Sequence, residues 1–207
     1  MKNTESTVFL VDDDHAVRDA LVLLMETAQF NTESFDSAEA FLDVCDPDRP
    51  GCLVLDIRMP GMSGIKLQEE LAARGIIIPV IFLTGHGNIS MSAQAFRSGA
   101  VDFMEKPFEE NILLERIQEA IRLDQSNRKA LDKQANADSC LASLTPRECE
   151  VMWLIVAGKA NKEIAAELNL SHRTVESHRG HIIEKTGARS LPDLVELTRA
   201  SRGPRQD

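Results

Sequence analysis

The sequence predicts an α/β fold followed by a small all-α domain: a five-stranded parallel sheet wound by helices on both faces, then a bundle of four short helices. Three observations predict it. Five β-rich runs alternate with helix-spaced segments over the first ~120 residues, and such alternation closes into a parallel sheet with both faces covered. From Thr145 onward the strand signal stops and each segment carries a helix cap. The charge changes in the same region: residues 1–123 hold 21 Asp and Glu against 10 Lys and Arg, a net −11, whereas residues 124–207 hold 12 against 13, a net +1. That asymmetry implies two modules with different partners.

The first strand is Thr7–Asp12 (TVFLVD). His15–Ala28 places Val17, Leu21, Leu24 and Ala28 at helical spacing. A short strand follows over Phe30–Phe35, and Ser37 opens a helix to about Asp43. Cys52–Asp56 is the third strand, Ser63–Arg74 a helix that Gly75 stops, and Pro79–Thr84 (PVIFLT) the fourth strand. Asn88–Ser98 reads as helical up to Gly99, Val101–Met104 as the fifth strand, and a last helix starts near Glu109. The strands read as unbroken apolar runs, as strands covered on both faces should. Leu113, Ile117, Ala120 and Ile121 give the last helix an apolar face. It is expected to continue to about Gln134, then loosen into a linker up to Ser143. In the tail, Thr145-Pro146-Arg147-Glu148 is a capping box with Pro at the first helical position, opening a helix over Arg147–Ala157. Asn161 caps Lys162–Leu168, Ser171 caps His172–Thr186, and Ser190 caps Leu191–Arg199. Only Asn169, Leu170 and Ser171 separate the second and third of these helices, the spacing of a helix-turn-helix. The expected organisation is a sheet domain over 1–123, a largely helical linker over 124–143 and a helix-turn-helix domain over 144–207.

The bulk properties narrow the function. No apolar run approaches the length that spans a bilayer, so no membrane partner is expected. The polar N-terminus gives no sign of a signal peptide. Cys45, Cys52, Cys140 and Cys149 include no closely spaced metal-binding pair, and they read as small hydrophobes in a reducing cytoplasm.

Chemistry gathers at the C-terminal strand ends. Strand one ends in Asp12-Asp13-Asp14, strand three in Asp56, strand four in Thr84, and strand five leads to Lys106-Pro107. In an open sheet of order 2-1-3-4-5, strands one and three are neighbours and the winding reverses between them, which makes a ligand-binding crevice. Several carboxylates there repel unless a cation shares the site, and hard oxygens at this density suit Mg²⁺. With an ammonium from Lys106 and a hydroxyl from Thr84, the set suits in-line phosphoryl transfer to one carboxylate, Asp56.

The runs VDDD, LDIRMPGMSG, FLTGHG and VDFMEKPF resemble the receiver domain of two-component response regulators, and the tail resembles the LuxR-type helix-turn-helix. Together they resemble the FixJ branch of the FixJ/NarL family, with its flavodoxin-like receiver. The resemblance implies that a sensor histidine kinase phosphorylates Asp56. It implies Mg²⁺ (or Mn²⁺) on Asp13, Asp56 and the Arg58 carbonyl, with Asp12 acting through water. It makes Thr84 and Lys106 the phosphoryl-binding pair, Phe103 the aromatic that rotates on activation, and Lys106–Pro107 a cis peptide. The chain departs from the family at Asn88 and Ser90, where Asp and Pro are common. Aspartyl-phosphate phosphatases need a second carboxylate two residues beyond the nucleophile, and here that position is Arg58. The aspartyl phosphate should therefore persist, with Arg58 and His86 setting its lifetime, and the protein is expected to be a signal carrier rather than a turnover enzyme.

In the tail, Val175, Ile182 and Ile183 form the apolar side of the third helix and are expected to meet Val151, Leu154, Ile164 and Leu168. The other side shows Arg173, Glu176, Ser177, Arg179 and Gly180, short and mixed in charge, as suits a helix entering a major groove. By the resemblance, Glu176, Ser177, Arg179 and Gly180 face bases in promoter DNA. Asn161, Lys162, Thr174 and Lys185 are placed for phosphates. A net +1 is weak for DNA binding, so a homodimer is expected on phosphorylation, through residues 88–104 and 191–199, with RNA polymerase a further partner.

Overall fold

The computed structural model describes residues 6–85 and 100–201, in two compact units, 1–127 and 128–207. The helix expected over Asn88–Ser98 lies outside the described residues. The first unit holds β1 (Thr7–Val11), α1 (His15–Thr27), β2 (Asn31–Phe35), α2 (Ala38–Val44), β3 (Gly51–Asp56), α3 (Gly64–Ala73), β4 (Val80–Thr84), β5 (Asp102–Glu105) and the start of α4 (Glu110–Ala142). The five strands are parallel, in the order β2-β1-β3-β4-β5.

Alternation along the central strands sorts the core into two faces. Val8 and Leu10, Cys52 and Val54, and Ile81 and Leu83 point to one face, where they meet Leu21 and Met25 of α1 and Leu113, Ile117 and Ala120 of α4. Phe9 and Val11, Leu53 and Leu55, and Val80 and Phe82 point to the other, against Ala38 and Phe41 of α2 and Leu67 and Leu71 of α3. β1, β3 and β4 are buried at every position, the doubly covered pattern their apolar runs predict. β2 does not fit that expectation. Its sequence, NTESF, is partly exposed throughout because it is an edge strand with one neighbour only.

Local chemistry sets the helix starts. Asp14 caps α1 by accepting from the Ala16 and Val17 amides, Ser37 caps α2 and Ser63 caps α3. The turn from β3 to α3 needs glycine. A Cβ at Gly64 would stand 2.2 Å from the Asp56 carbonyl oxygen and 2.9 Å from Leu55 Cγ. Asp124 is fully buried in α4 and accepts from the Gly51 amide at 2.9 Å, fastening the helix to the start of β3.

The linker expected over 124–143 is not loose beyond Gln134. α4 stays helical to Ala142: Ala137 is buried, Leu141 packs against the second unit's core, and Leu144, just beyond the helix, belongs to that core. Lys133 pairs with Glu196 at 2.5 Å. The remaining helices are α5 (Pro146–Val156), α6 (Asn161–Glu167), α7 (His172–Thr186) and α8 (Leu191–Ala200). They close over Val151, Met152, Ile155, Ile164, Val175, Ile182 and Leu194. Two expectations are corrected. Ile183 is half exposed rather than buried: it lies eight residues after Val175, about 80° around the helix from it, whereas Ile182, seven residues on, nearly eclipses it. Asn161 is not a cap but the first residue of α6. Ala160 holds the cap position, with the Glu163 carboxylate accepting from its amide at 2.7 Å.

Gly64→Ala is expected to cost the receiver-like unit about 1–3 kcal/mol through this overpacking. Urea unfolding of the two proteins measures it, and equal stabilities would contradict the reading.

Candidate functional site

Strand register builds the first site. Val11 lies opposite Leu55, so the next residues, Asp12 and Asp56, emerge side by side at the C-terminal edge. Thr84 lies opposite Glu105, so Lys106 emerges beside the end of β4. Asp12 and Asp56 are almost fully buried, and both reach the same ammonium: Lys106 Nζ donates to Asp12 Oδ2 at 2.6 Å and to Asp56 Oδ1 at 2.8 Å. The second oxygen of each carboxylate also has a donor. Asp12 Oδ1 accepts from the Asp14 amide at 2.9 Å, and Asp56 Oδ2 from the Arg58 amide at 2.6 Å. Arg18 donates to the Asp12 carbonyl at 2.7 Å. Thr84 is buried at the end of β4, Phe103 is half-buried against the α3 face of the core, and Lys106–Pro107 is a cis peptide. The Arg58 side chain is exposed, and His86 lies outside the described residues.

Burial pushes the Asp56 carboxyl above its usual range, against the Lys106 hydrogen bond that lowers it. Burial pulls the Lys106 ammonium down, and the bonds to Asp12 and Asp56 outweigh that, leaving it raised. One positive charge faces two buried negative ones, so the site retains an excess of negative charge. Its donors are hard oxygens, which fit Mg²⁺. Asp13, expected as a third ligand, is exposed, and it does not join Asp12 and Asp56 in a set of three ligand atoms within 4.8 Å of one another. Of the three consecutive acids, one lines the site, one caps a helix and one faces solvent.

The second site is the exposed side of α7. Arg173, Glu176, Ser177 and Gly180 are exposed, and Arg179 donates to Asn161 Oδ1, at the start of α6, at 3.1 Å. Lys162 is exposed on α6. Thr174 shares a 2.7 Å hydroxyl contact with Ser171 at the start of α7. Lys185 departs from its expected role: its ammonium turns inward to Glu148 Oε2 at 2.7 Å, because that buried carboxylate needs a counter-charge. The capping-box pattern gave Glu148 a local role, and the tie to Lys185, 37 residues away, had no signal in the sequence.

Comparisons with known proteins decide the family. Residues 8–118 match the model of the response regulator receiver domain, and residues 142–198 match that of the bacterial regulatory proteins of the luxR family. The chain is a response regulator of the LuxR type. It is 43% identical to nodulation protein W of Bradyrhizobium diazoefficiens over 95% of this chain and 86% of that protein. It is 41% identical to the transcriptional regulatory protein FixJ of the same organism, over 94% and 95%. Among solved structures, the response regulator StyR matches with a TM-score of 0.87 and 46% identity, over 94% of this chain and 98% of that one. This regulator is therefore a DNA-binding transcription regulator of the two-component class. Among its described residues no helix is long and apolar enough to cross a membrane.

Lys185 holds the Glu148 carboxyl down at about 2, from an ordinary 4.5, with help from the Thr145 amide. A depressed carboxylate contributes stability above its unfolded value that is lost as pH falls through the folded one. Stability of the second unit should therefore drop between pH 4.5 and about 2. Glu148→Gln should flatten that drop relative to wild type. Parallel acid-unfolding curves for the two proteins would count against the assignment.

Proposed function

We propose that this regulator stores its signal as a phosphoryl group on Asp56, delivered by a sensor histidine kinase in the cytoplasm. What carries the reading is the pair of buried carboxylates at neighbouring strand ends, held to one ammonium in a chain of the response-regulator family. An Asp56 oxygen attacks phosphorus in line, and the bond to the donor's nitrogen or oxygen breaks, its electron pair leaving with the donor. Asp13, Asp56 and the Arg58 carbonyl, with Asp12 through water, would hold Mg²⁺ (or Mn²⁺). The chemistry such a cation would supply is neutralisation of charge on the equatorial oxygens. Lys106 shifts from bridging two carboxylates to pairing with the phosphoryl group. Thr84 donates its hydroxyl to that group, and Phe103 rotates as Thr84 moves. The step needs only a few kcal/mol of bias between two states. Arg58 and His86 set the lifetime, and no general base lies two residues beyond the nucleophile.

The output is a homodimer on promoter DNA, through residues 88–104 of the receiver and 191–199 of α8, with RNA polymerase as a further partner. Leu191 and the adjacent Ile183, both about half exposed, offer apolar surface for the α8 contact. Glu176, Ser177, Arg179 and Gly180 face the bases, and Asn161, Lys162, Arg173 and Thr174 approach the backbone. Arg179 exchanges Asn161 for DNA on binding. Lys185 orients α7 through Glu148.

Acetyl phosphate with Mg²⁺ is expected to label wild type and not Asp56→Asn, and to raise dimer fraction and DNA affinity together. Labelling of Asp56→Asn at the wild-type level would remove the proposal. A Cβ at Gly180 meets nothing within 4 Å, so packing in the protein does not require a glycine there. Gly180→Ala should stabilise the helix by about 0.5–1 kcal/mol. If α7 lies close in the groove, the same change weakens DNA binding. Unaltered affinity in a gel-shift titration would move Gly180 away from the interface.

A further inference from the structure

Outside both sites, the second unit brings together three metal-ligating side chains. Glu148 in the first turn of α5 and His178 and His181 on α7 each offer one ligand atom, all within 4.8 Å of one another. The two histidines are three residues apart, on one side of the helix. The carboxylate is divided in its duties. The hydrogen bonds from the Thr145 amide at 2.8 Å and from Lys185 Nζ at 2.7 Å both fall on Oε2. Oε1 faces His181 Nδ1 at 3.6 Å, too far for a hydrogen bond. Glu148 is 3% exposed, so this oxygen has little water to turn to. A second observation is independent of the first. His178 Nδ1 is buried and, among the described residues, has no hydrogen-bond partner. Buried polar atoms in folded proteins are ordinarily satisfied, and one left open marks a missing partner.

We propose that Glu148, His178 and His181 bind a divalent transition-metal ion. Two imidazole nitrogens and a carboxylate oxygen are a zinc-type ligand set, and three protein ligands leave a fourth position for solvent. Such ligands lie about 2.0–2.2 Å from the ion, so the cluster must contract. The contraction falls on His181, whose side chain is 56% exposed and free to turn. Lys185 can stay where it is, since it uses the other oxygen. Bound metal ties α7, the helix that carries the DNA-facing residues, to the start of α5. The binding itself requires neither DNA nor a phosphoryl group.

The test is calorimetric titration of Zn²⁺ into the full chain without any histidine tag. Mg²⁺ is present in excess, so that the receiver acids are already occupied. One Zn²⁺ per chain is expected. His181→Asn, a change at an exposed side chain, should weaken binding at least tenfold. His172→Asn, an exposed histidine of the same helix outside the cluster, should leave binding unchanged. Co²⁺ added to wild type should give the intense visible absorption of tetrahedral coordination, a reading that depends on no variant. Equal zinc affinity in wild type and His181→Asn, or only the weak spectrum of octahedral Co²⁺, overturns the proposal. Loss of zinc binding with DNA affinity intact would leave the regulatory reading untouched, and the reverse result would leave this one.

Discussion

The Lys106 ammonium, set between Asp12 and Asp56, is the interaction on which the receiver site depends. Two carboxylates cannot be withdrawn from water side by side without a counter-charge, because like charges at that range repel strongly in a poorly solvated pocket. Lys106 supplies one charge to both, at 2.6 and 2.8 Å. It does so from a position 50 residues beyond Asp56 and 94 beyond Asp12. Only the sheet brings these positions together. The parallel register puts Asp12 beside Asp56, β4 lies between β3 and β5, and the strand ends become the walls of one crevice. The core on both faces of the sheet therefore serves the site by fixing that register.

The arrangement is electrostatically incomplete, and that gives it its capacity. One ammonium does not balance two carboxylates, so the resting pocket has the charge and the hard oxygens that suit a divalent cation, and the proposed phosphorylation would add an anionic group beside them. The donor that stabilises the resting pocket is also the one best placed to meet the new charge. A similar economy operates in the second unit. Glu148 closes the start of α5 with one oxygen and holds Lys185 of α7 with the same atom. The orientation of α7 thus rests on a buried carboxylate rather than on apolar contact alone.

The fold was legible because its central strands are apolar and most of its helices begin at a capping side chain. Ser37, Thr145, Ser171 and Ser190 cap the helices they precede, as their sequence positions indicate, and the structure adds Asp14 and Ser63. The convergence of Asp12, Asp56 and Lys106 followed from strand order. What was not legible depended on direction and distance. Three consecutive aspartates look alike, and only backbone geometry sends one into the site and one into a helix cap while the third stays exposed. Ile183 and Ile182 are chemically equal, and one residue of helical rotation exposes the first. The stretch after Gln134 read as loose because it is polar and most of its apolar side chains are small, yet it stays helical and Leu141 joins a core formed mainly by later residues. Lys185 resembled a phosphate ligand because nothing nearby in the sequence announced Glu148 as its partner.

The central claim, that Asp12 and Asp56 form one cation-accepting pocket bridged by Lys106, is tested most directly by NMR. Carboxyl carbon shifts of the two aspartates and the Lys106 side-chain amine would be followed through a Mg²⁺ titration. Both carboxyl signals should move together and saturate at one ion per chain, with the Lys106 signal changing over the same range. If the two aspartates respond at different Mg²⁺ concentrations, or Lys106 stays unmoved while they do, the pocket is not one site and the account is contradicted.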